Sequence, residues 1–173
     1  MDDPRRQTES SAASVIDFAA LTPDRLVRLA RTPTRVRGVL DGDTRGLVTI
    51  RPAPEAWSVV EVICHLRDIE EAYFERIRFI LLNDRPVLAQ LYPDRWVEDR
   101  QYRYCDAERA LAAFRSRRED TLRFVESLTP EQWERGADHP ARGRLTVRRV
   151  VHSLASHDAE HLDQITRALA GSA

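Results

Sequence analysis

The last quarter of the chain constrains its fold most strongly, because apolar residues recur there every three or four positions from about Leu145 to Ala170. This spacing places them on one face of an α-helix. One arc of the projected helix carries Val147, Val150, Val151, Leu154, Ile165, Ala168 and Leu169, and the opposite arc carries Arg148, Arg149, Ser153, Ser156, Glu160, Asp163 and Arg167. The segment therefore predicts a long amphipathic helix that packs one face against a core.

Earlier segments predict three more main helices. The first begins at Thr22-Pro23, where a hydroxyl cap precedes a proline, and Pro33 predicts a kink or a break in it. The second begins at Ser58, which forms a capping box with Glu61, and runs to about Asn83. No strand-like segment is long enough to compete with these helices.

A third helix is capped by Asp106 and runs to about Leu128. The segment Thr129 to Gln132 is another capping box, which opens a short helical turn before the loop GADHPARGR. Two longer stretches, 41–56 and 83–105, contain prolines without a steady period and predict long connections. The fold class is therefore all-α, a four-helix bundle with long crossover connections.

The domain organisation follows from length and composition. Residues 1–16 are polar and small and predict a flexible N-terminal tail, whereas residues 17–173 are enough for a single domain with its own core. The formal charge of -1 gives no reason to expect nucleic acid or a membrane as a partner, so we expect a small-molecule substrate. Cys64 and Cys105 lack the spacing of a disulfide scaffold, and no targeting or membrane segment is evident, which predicts a cytoplasmic protein.

Histidines are the residues that point to chemistry. His157 and His161 are one helical turn apart and fall inside the apolar arc of the last helix. His65 lies at the edge of the apolar arc of the second helix. Three buried imidazoles without a shared task would each carry a desolvation cost, whereas a divalent metal ion would use all three as ligands. His139, in a loop, and His152, on the polar arc, are predicted to be solvated.

Three protein ligands leave a coordination position for water or substrate, which predicts a catalytic or binding site. The leading hypothesis is an enzyme whose ion acts as a Lewis acid, either in the transfer of a thiol or in hydrolysis. The alternatives are a non-catalytic metal-binding module in a stress response and a bundle with no functional metal.

Neighbouring residues suggest supporting roles. Asp68, Asp158 and Gln164 are candidates to hold the second ring nitrogen of a ligand histidine in an outer shell, and for Asp68 a fourth-ligand role and a solvated carboxylate are the alternatives. No residue is assigned as a general acid or base, since Asp158 has a shorter reach than the glutamate of an HExxH protease.

Two arginines interrupt the apolar stripes of the helices, and two phenylalanines lie off the histidine face. Arg76 and Arg118 fall in apolar stripes, where a guanidinium could bind a substrate carboxylate. The favoured alternative is that the stem covers apolar surface while the head reaches water or an internal carboxylate. Phe74 and Phe79 project away from the histidine face and predict either a homodimer surface or packing on the first helix or the long connection.

Three stretches of sequence together carry a family resemblance: 57–68 (WSVVEVICHLRD), 139–146 (HPARGRLT) and 157–165 (HDAEHLDQI). In their order and spacing they resemble the DinB/YfiT-like family of metal-dependent enzymes, from about Leu21 to Leu169. The resemblance implies an antiparallel-type four-helix bundle with a crossover. It also implies one ion, often nickel or zinc, on one histidine of the second helix and two of the fourth.

The resemblance defines the activity less narrowly than it defines the fold and the metal ligands. Members of this family with known activity are largely transferases or isomerases that use a low-molecular-weight thiol such as bacillithiol or mycothiol, and others are described as hydrolases. We therefore expect a thiol transferase first, with the thiol as cosubstrate, and a metal-dependent hydrolase as the alternative.

Overall fold

The computed structural model of the protein describes residues 18–43 and 46–171, and in the first helix the side chains from residue 23 onward. The predicted tail, residues 1–16, lies outside the described residues. The helices are α1 (Phe18–Asp41), α2 (Val59–Leu82), α3 (Trp96–Asp99), α4 (Ala107–Glu126), α5 (Pro130–Glu134) and α6 (Val147–Leu169), and the strands are β1 (Gly136–His139) and β2 (Gly143–Thr146). The predicted all-α four-helix bundle is confirmed, with α1, α2, α4 and α6 as its long helices.

Side-chain caps fix where the bundle helices begin. Asp106 accepts a hydrogen bond from the Arg109 amide at 2.8 Å at the start of α4, and Thr146 accepts one from the Arg149 amide at 3.2 Å at the start of α6. Glu61 accepts from the Ser58 amide at 2.8 Å, which forms the predicted capping box of α2. These caps satisfy amides that have no partner inside the helix.

The first helix differs from its prediction. It already includes Phe18, before the predicted cap at Thr22, and continues without interruption through Pro33. Pro33 is buried, and the adjacent Thr32 is buried as well. Packing of this turn against the bundle therefore outweighs the helix-breaking tendency of proline.

Contacts between the helices define their directions. Arg37 pairs with Glu108 at one end of α1 and α4, and Leu29 meets Arg118 further along, so these two helices are antiparallel. In contrast, α2 and α4 are parallel, because the contact of residue 70 with 118 is followed by the contact of Phe74 with Phe124. The bundle is thus not antiparallel throughout, and the long connection after α2 returns the chain along the length of that helix.

The two halves of the core place α6 against its neighbours. Late α2 residues pack with the first half of α6, and early α2 residues pack with its second half, so α2 and α6 are antiparallel. The resulting order around the bundle is α1, α4, α2, α6. The two helices that carry the predicted metal ligands are therefore direct neighbours.

A β-hairpin replaces the loop that was predicted before the last helix. Strands β1 and β2 pair antiparallel with Ala137 opposite Leu145, and both of these side chains are buried. Gly143, the first residue of β2, has a φ of 65°, which favours glycine where the chain leaves the turn. The prediction missed this hairpin because each strand has only four residues.

Two further expectations concern the surface. His139 is 4% exposed and His152 is 6% exposed, so the prediction that both are solvated was wrong. Phe74 packs edge-on against Phe124 with ring centroids 5.6 Å apart, while Phe79 is 43% exposed.

Among the described helices, none combines the length and apolar character needed to cross a membrane.

Candidate metal centre

Helices α2 and α6 bring three imidazoles together at their shared interface. His65 lies in the second turn of α2 and is 2% exposed, while His157 and His161 lie one turn apart on α6 and are half-buried. The cap of α2 fixes where that helix begins and so the position of His65 along the bundle. The apolar face of α6 packs against α2, which directs the other two rings toward His65. The inward orientation expected from helical periodicity is the orientation that the structure has.

The Nε2 atoms of the three rings converge. His157 Nε2 lies 3.0 Å from His65 Nε2 and 3.0 Å from His161 Nε2, and the ligand atoms of all three residues lie within 4.8 Å of one another. Two nitrogens bound to one tetrahedral zinc ion at the usual ~2.0–2.1 Å would be about 3.3 Å apart. The spacing of these atoms is therefore close to what a metal ion requires, and this group could hold one.

Gln164 determines which nitrogen of His161 carries the proton. Its Oε1 lies 2.7 Å from His161 Nδ1, and since a carbonyl oxygen only accepts, Nδ1 donates and Nε2 presents its lone pair to the centre. The contact with His157 then requires a hydrogen on His157 Nε2, which would have to be shared with His65 Nε2 as a second acceptor. A metal ion would instead use the lone pairs of all three nitrogens.

The other ring nitrogens of two histidines strengthen this argument. His65 Nδ1 and His157 Nδ1 are buried and have no hydrogen-bond partner among the described residues. Buried polar atoms are normally paired, and leaving one unpaired costs free energy. These two rings therefore depend for their stabilisation on what binds their Nε2 atoms.

The electrostatic environment keeps the three rings neutral. Burial lowers the pKa of His65 to about 3, with the neighbouring His161 adding to the effect. Burial, His161 and His65 lower the pKa of His157 to about 2, and burial also lowers the pKa of His161. Since a neutral imidazole is the form that binds a metal, the site is in its ligand form at physiological pH.

Trp57 covers one side of the centre. Its ring lies 4.9 Å from that of His65, and it stacks nearly parallel, at 5°, over the ring of His161 with centroids 6.0 Å apart. A surface depression of about 290 Å³ borders Trp57 and Gln164. The indole thus lies between the histidines and the depression, and it shields that side of the site from solvent.

Asp68 has partners of its own. Its carboxylate accepts hydrogen bonds from Tyr102 Oη and Arg67 Nε, both at 2.6 Å, and from Arg100. Burial alone would raise the pKa of Asp68, but these hydrogen bonds outweigh it and lower that pKa. Asp68 acts on His65 only through its charge, which favours protonation of the ring, because His65 Nδ1 has no hydrogen-bond partner among the described residues.

Asp158 and Arg118 belong to one buried ion network. Arg118 donates two hydrogen bonds to Asp158, two to Glu70 and one to the carbonyl of Leu29, at distances between 2.7 and 3.2 Å. All five N–H groups of the guanidinium are therefore in use. Of the two roles considered for Arg118, the structure has the one in which the stem is buried and the head meets internal carboxylates, and no donor is left for a substrate.

The same network changes the role of Asp158. Its side chain faces Arg118, and the structure places no hydrogen bond between it and a described histidine. Of the three candidates for an outer shell, Gln164 is the one in hydrogen-bond contact with an imidazole. Sequence reasoning missed Glu70, although a glutamate in the apolar stripe of α2 opposite a buried arginine of α4 is a usable signal.

Arg76 lies away from the histidines. It is eleven residues beyond His65 on the same helix, which corresponds to about 16 Å of helical rise. Its guanidinium donates a hydrogen bond to the Ala89 carbonyl at 2.9 Å, on the long connection after α2. A substrate held at the metal centre would therefore need considerable length to reach Arg76.

The fold and the centre together define a class: four-helix-bundle proteins with a histidine triad that could hold a metal ion. Comparison with known proteins makes the assignment more specific. The family model of the DinB superfamily matches residues 28–165, and this chain belongs to that superfamily. The resemblance to the DinB/YfiT-like family is thereby confirmed.

Individual relatives agree with this assignment. A protein of Oceanobacillus iheyensis named "putative metal-dependent hydrolase" is 26% identical over 110 residues, which cover 64% of this chain. The match spans 63% of that relative, just under two thirds of its length. The solved structure of YfiT from Bacillus subtilis, described as a probable metal-dependent hydrolase with an unusual four-helix bundle topology, superposes with a TM-score of 0.79 at 18% identity and covers 99% of this chain and 95% of YfiT. At that identity the structural match supports the fold alone.

Proposed function

We propose that this protein is a metal-dependent enzyme that holds one divalent ion on the Nε2 atoms of His65, His157 and His161. The convergence of these three atoms is the observation that carries the proposal. His157 Nε2 lies 3.0 Å from each of the other two, and a single hydrogen on it would have to be shared between both contacts. Three neutral imidazoles suit nickel or zinc, and three protein ligands leave a position for a substrate.

The proposed reaction is the transfer of a low-molecular-weight thiol to a small electrophilic substrate. An ion bound at this centre supplies Lewis acidity, which lowers the pKa of a thiol or a water molecule at the open position. Gln164 holds His161 in the tautomer that presents Nε2, and Trp57 excludes water from one side of the centre. The depression beside these two residues, about 290 Å³ in volume, is the proposed binding place for part of the small-molecule substrate.

Hydrolysis is the second candidate, and the names of the relatives favour it, since both are described as metal-dependent hydrolases. The two reactions use the same open position and differ in whether a thiol or a water molecule occupies it. A third outcome, in which the ion ties α2 to α6 without catalysis, corresponds to a metal-binding module in a stress response.

The test separates these outcomes with one protein preparation. Untagged protein loaded with nickel or zinc is incubated with a thiol such as bacillithiol or mycothiol and a panel of electrophiles, and the products are identified by mass spectrometry. We expect a thiol conjugate that is absent with His161→Ala and present with Asp163→Ala, a control at an exposed position of the same helix.

The other results have distinct meanings. A hydrolysed product in place of the conjugate would replace the thiol proposal with the hydrolase. Bound metal without turnover of any substrate, together with a large loss of stability on chelation, would support the non-catalytic module and contradict the enzyme proposal.

A further inference from the structure

A second candidate site lies on α2 beyond the metal centre, around Arg76. A groove of about 440 Å³ runs between the second half of α2 and the extended segment after it, within the range of about 300–1,000 Å³ typical of small-molecule sites. Its lining is mostly apolar, with Arg76 and Glu75 as the charged members: Ala72, Glu75, Arg76, Phe79, Val87, Leu88, Ala89 and Leu91. Such a lining suits a ligand with an apolar body and one charged end.

The guanidinium in this groove has no counter-ion among the described residues. Arg76 is half-buried, donates one hydrogen bond to the Ala89 carbonyl at 2.9 Å and lies 5.7 Å from the ring centroid of Tyr73. By contrast, Arg51, Arg67 and Arg117 are similarly half-buried, and each of them pairs with a carboxylate. Partial burial of the Arg76 charge therefore costs free energy that no ion pair offsets.

A second guanidinium, that of Arg142, lies near Arg76. The segment behind the groove pairs with β1, since the Leu88 amide donates to the Asp138 carbonyl at 2.8 Å. The 139–142 turn follows β1 and is near enough to Arg76 for their charges to interact. Burial lowers the pKa of His139, and Arg76 and Arg142 both add to that effect. Two guanidinium groups thus act on one imidazole, which makes this end of the groove attractive to an anion.

Two acidic residues lie beside the groove, and neither neutralises this charge. Glu75, the acidic residue of the lining, pairs with Arg78 at 2.9 Å. Asp138 is exposed and alternates along β1 with the buried Ala137 and His139, so its side chain points away from the side that His139 faces. Four of the five N–H groups of Arg76 remain for a ligand.

We propose that this groove binds a small carboxylate anion with an apolar chain, with the carboxylate on Arg76 and the chain against Phe79 and Leu88. A planar guanidinium can bind a carboxylate through two parallel hydrogen bonds. The exposed ring of Phe79, 43% exposed, gains an apolar contact when the chain is bound. The site is independent of the proposed metal chemistry, being about 16 Å of helical rise from His65.

The proposal is tested by titrating octanoate into metal-free protein and measuring binding by calorimetry and by NMR shifts. We expect saturable binding, at least tenfold tighter than that of 1-octanol, with shifts at α2 and the segment after it. Arg76→Gln should weaken octanoate binding at least tenfold, whereas Arg115→Gln, at an exposed position of α4 outside the groove, should change it less than twofold.

Two further variants keep the test decisive. Phe79→Glu places a like charge at the groove without touching Arg76 and should also weaken binding at least tenfold, which replaces Arg76→Gln if that variant does not fold. His161→Ala should bind octanoate unchanged, whatever happens to the proposed metal function. Equal affinity for octanoate and octanol, no loss with either groove variant, or no binding at 10 mM octanoate, a Kd weaker than about 10 mM, would overturn the proposal.

Discussion

Replacing Arg118 by methionine should destabilise the metal-free protein by about 3–5 kcal/mol. The guanidinium is 1% exposed and joins Glu70, Asp158 and the Leu29 carbonyl, which belong to three different helices of the bundle. The substitution keeps much of the apolar stem but leaves two carboxylates, 0% and 4% exposed, without their cation. Breaking a buried ion pair on one side costs about this much free energy.

The assay is urea denaturation followed by circular dichroism in the presence of a chelator, and a loss of 3–5 kcal/mol corresponds to a melting temperature lower by roughly 6–20 °C for a domain of this size. Arg115→Met is the matched control on the same helix. Its side chain is 70% exposed and lies 3.8 Å from Glu119, so we expect a change of about 0–0.5 kcal/mol.

Replacing the two unpaired carboxylates by amides should then restore part of the stability. Arg118→Met combined with Glu70→Gln and Asp158→Asn should recover part of the loss, because neutral amides cost less to bury than unpaired carboxylates. If Arg118→Met loses no more than Arg115→Met, the network does not hold the helices together and this reasoning is refuted.

Three other predictions address the centre and its surroundings. Metal-free protein should be fully stable above the usual histidine pKa of about 6.5 and lose stability as the pH falls toward 3. Neutral His65 and His157 resist protonation in the fold, and each contributes a slope of up to about 1.4 kcal/mol per pH unit in denaturation curves; a flat profile between pH 6.5 and 4 would contradict this. Gln164→Leu should weaken metal affinity by about 10–100-fold in chelator competition, with Asp163→Ala unchanged. Tyr102→Phe should cost about 1.5–3 kcal/mol by losing its hydrogen bond to the Asp68 carboxylate, while Tyr104→Phe, 76% exposed, should cost nothing measurable.

The sequence alone was sufficient to predict the parts of the molecule that follow helical periodicity. The apolar arcs of α2 and α6 place His65, His157 and His161 on inward faces, and the caps at Ser58, Asp106 and Thr129 lie where the sequence puts them. Both signals are local, since each depends on residues within one or two turns.

Features that depend on partners distant in sequence were not predictable in this way. His152 falls on the polar arc of α6 yet is 6% exposed, because burial depends on which elements cover a face. The hairpin that buries His139 has strands of four residues, too short for a periodic signal. The sequence left two roles open for Arg118, because its partners come from three other helices and only the assembled bundle brings them together.

The central claim is that the three histidines form one metal site, and the metal content of untagged protein tests it most directly. Protein equilibrated with nickel or zinc and passed through a desalting column should retain about one ion per chain, as expected for a single three-histidine site. His65→Ala, His157→Ala and His161→Ala should each retain almost none, while Asp163→Ala retains as much as the unaltered chain. Absence of metal from the unaltered protein, or full retention by folded His→Ala variants, would contradict the assignment.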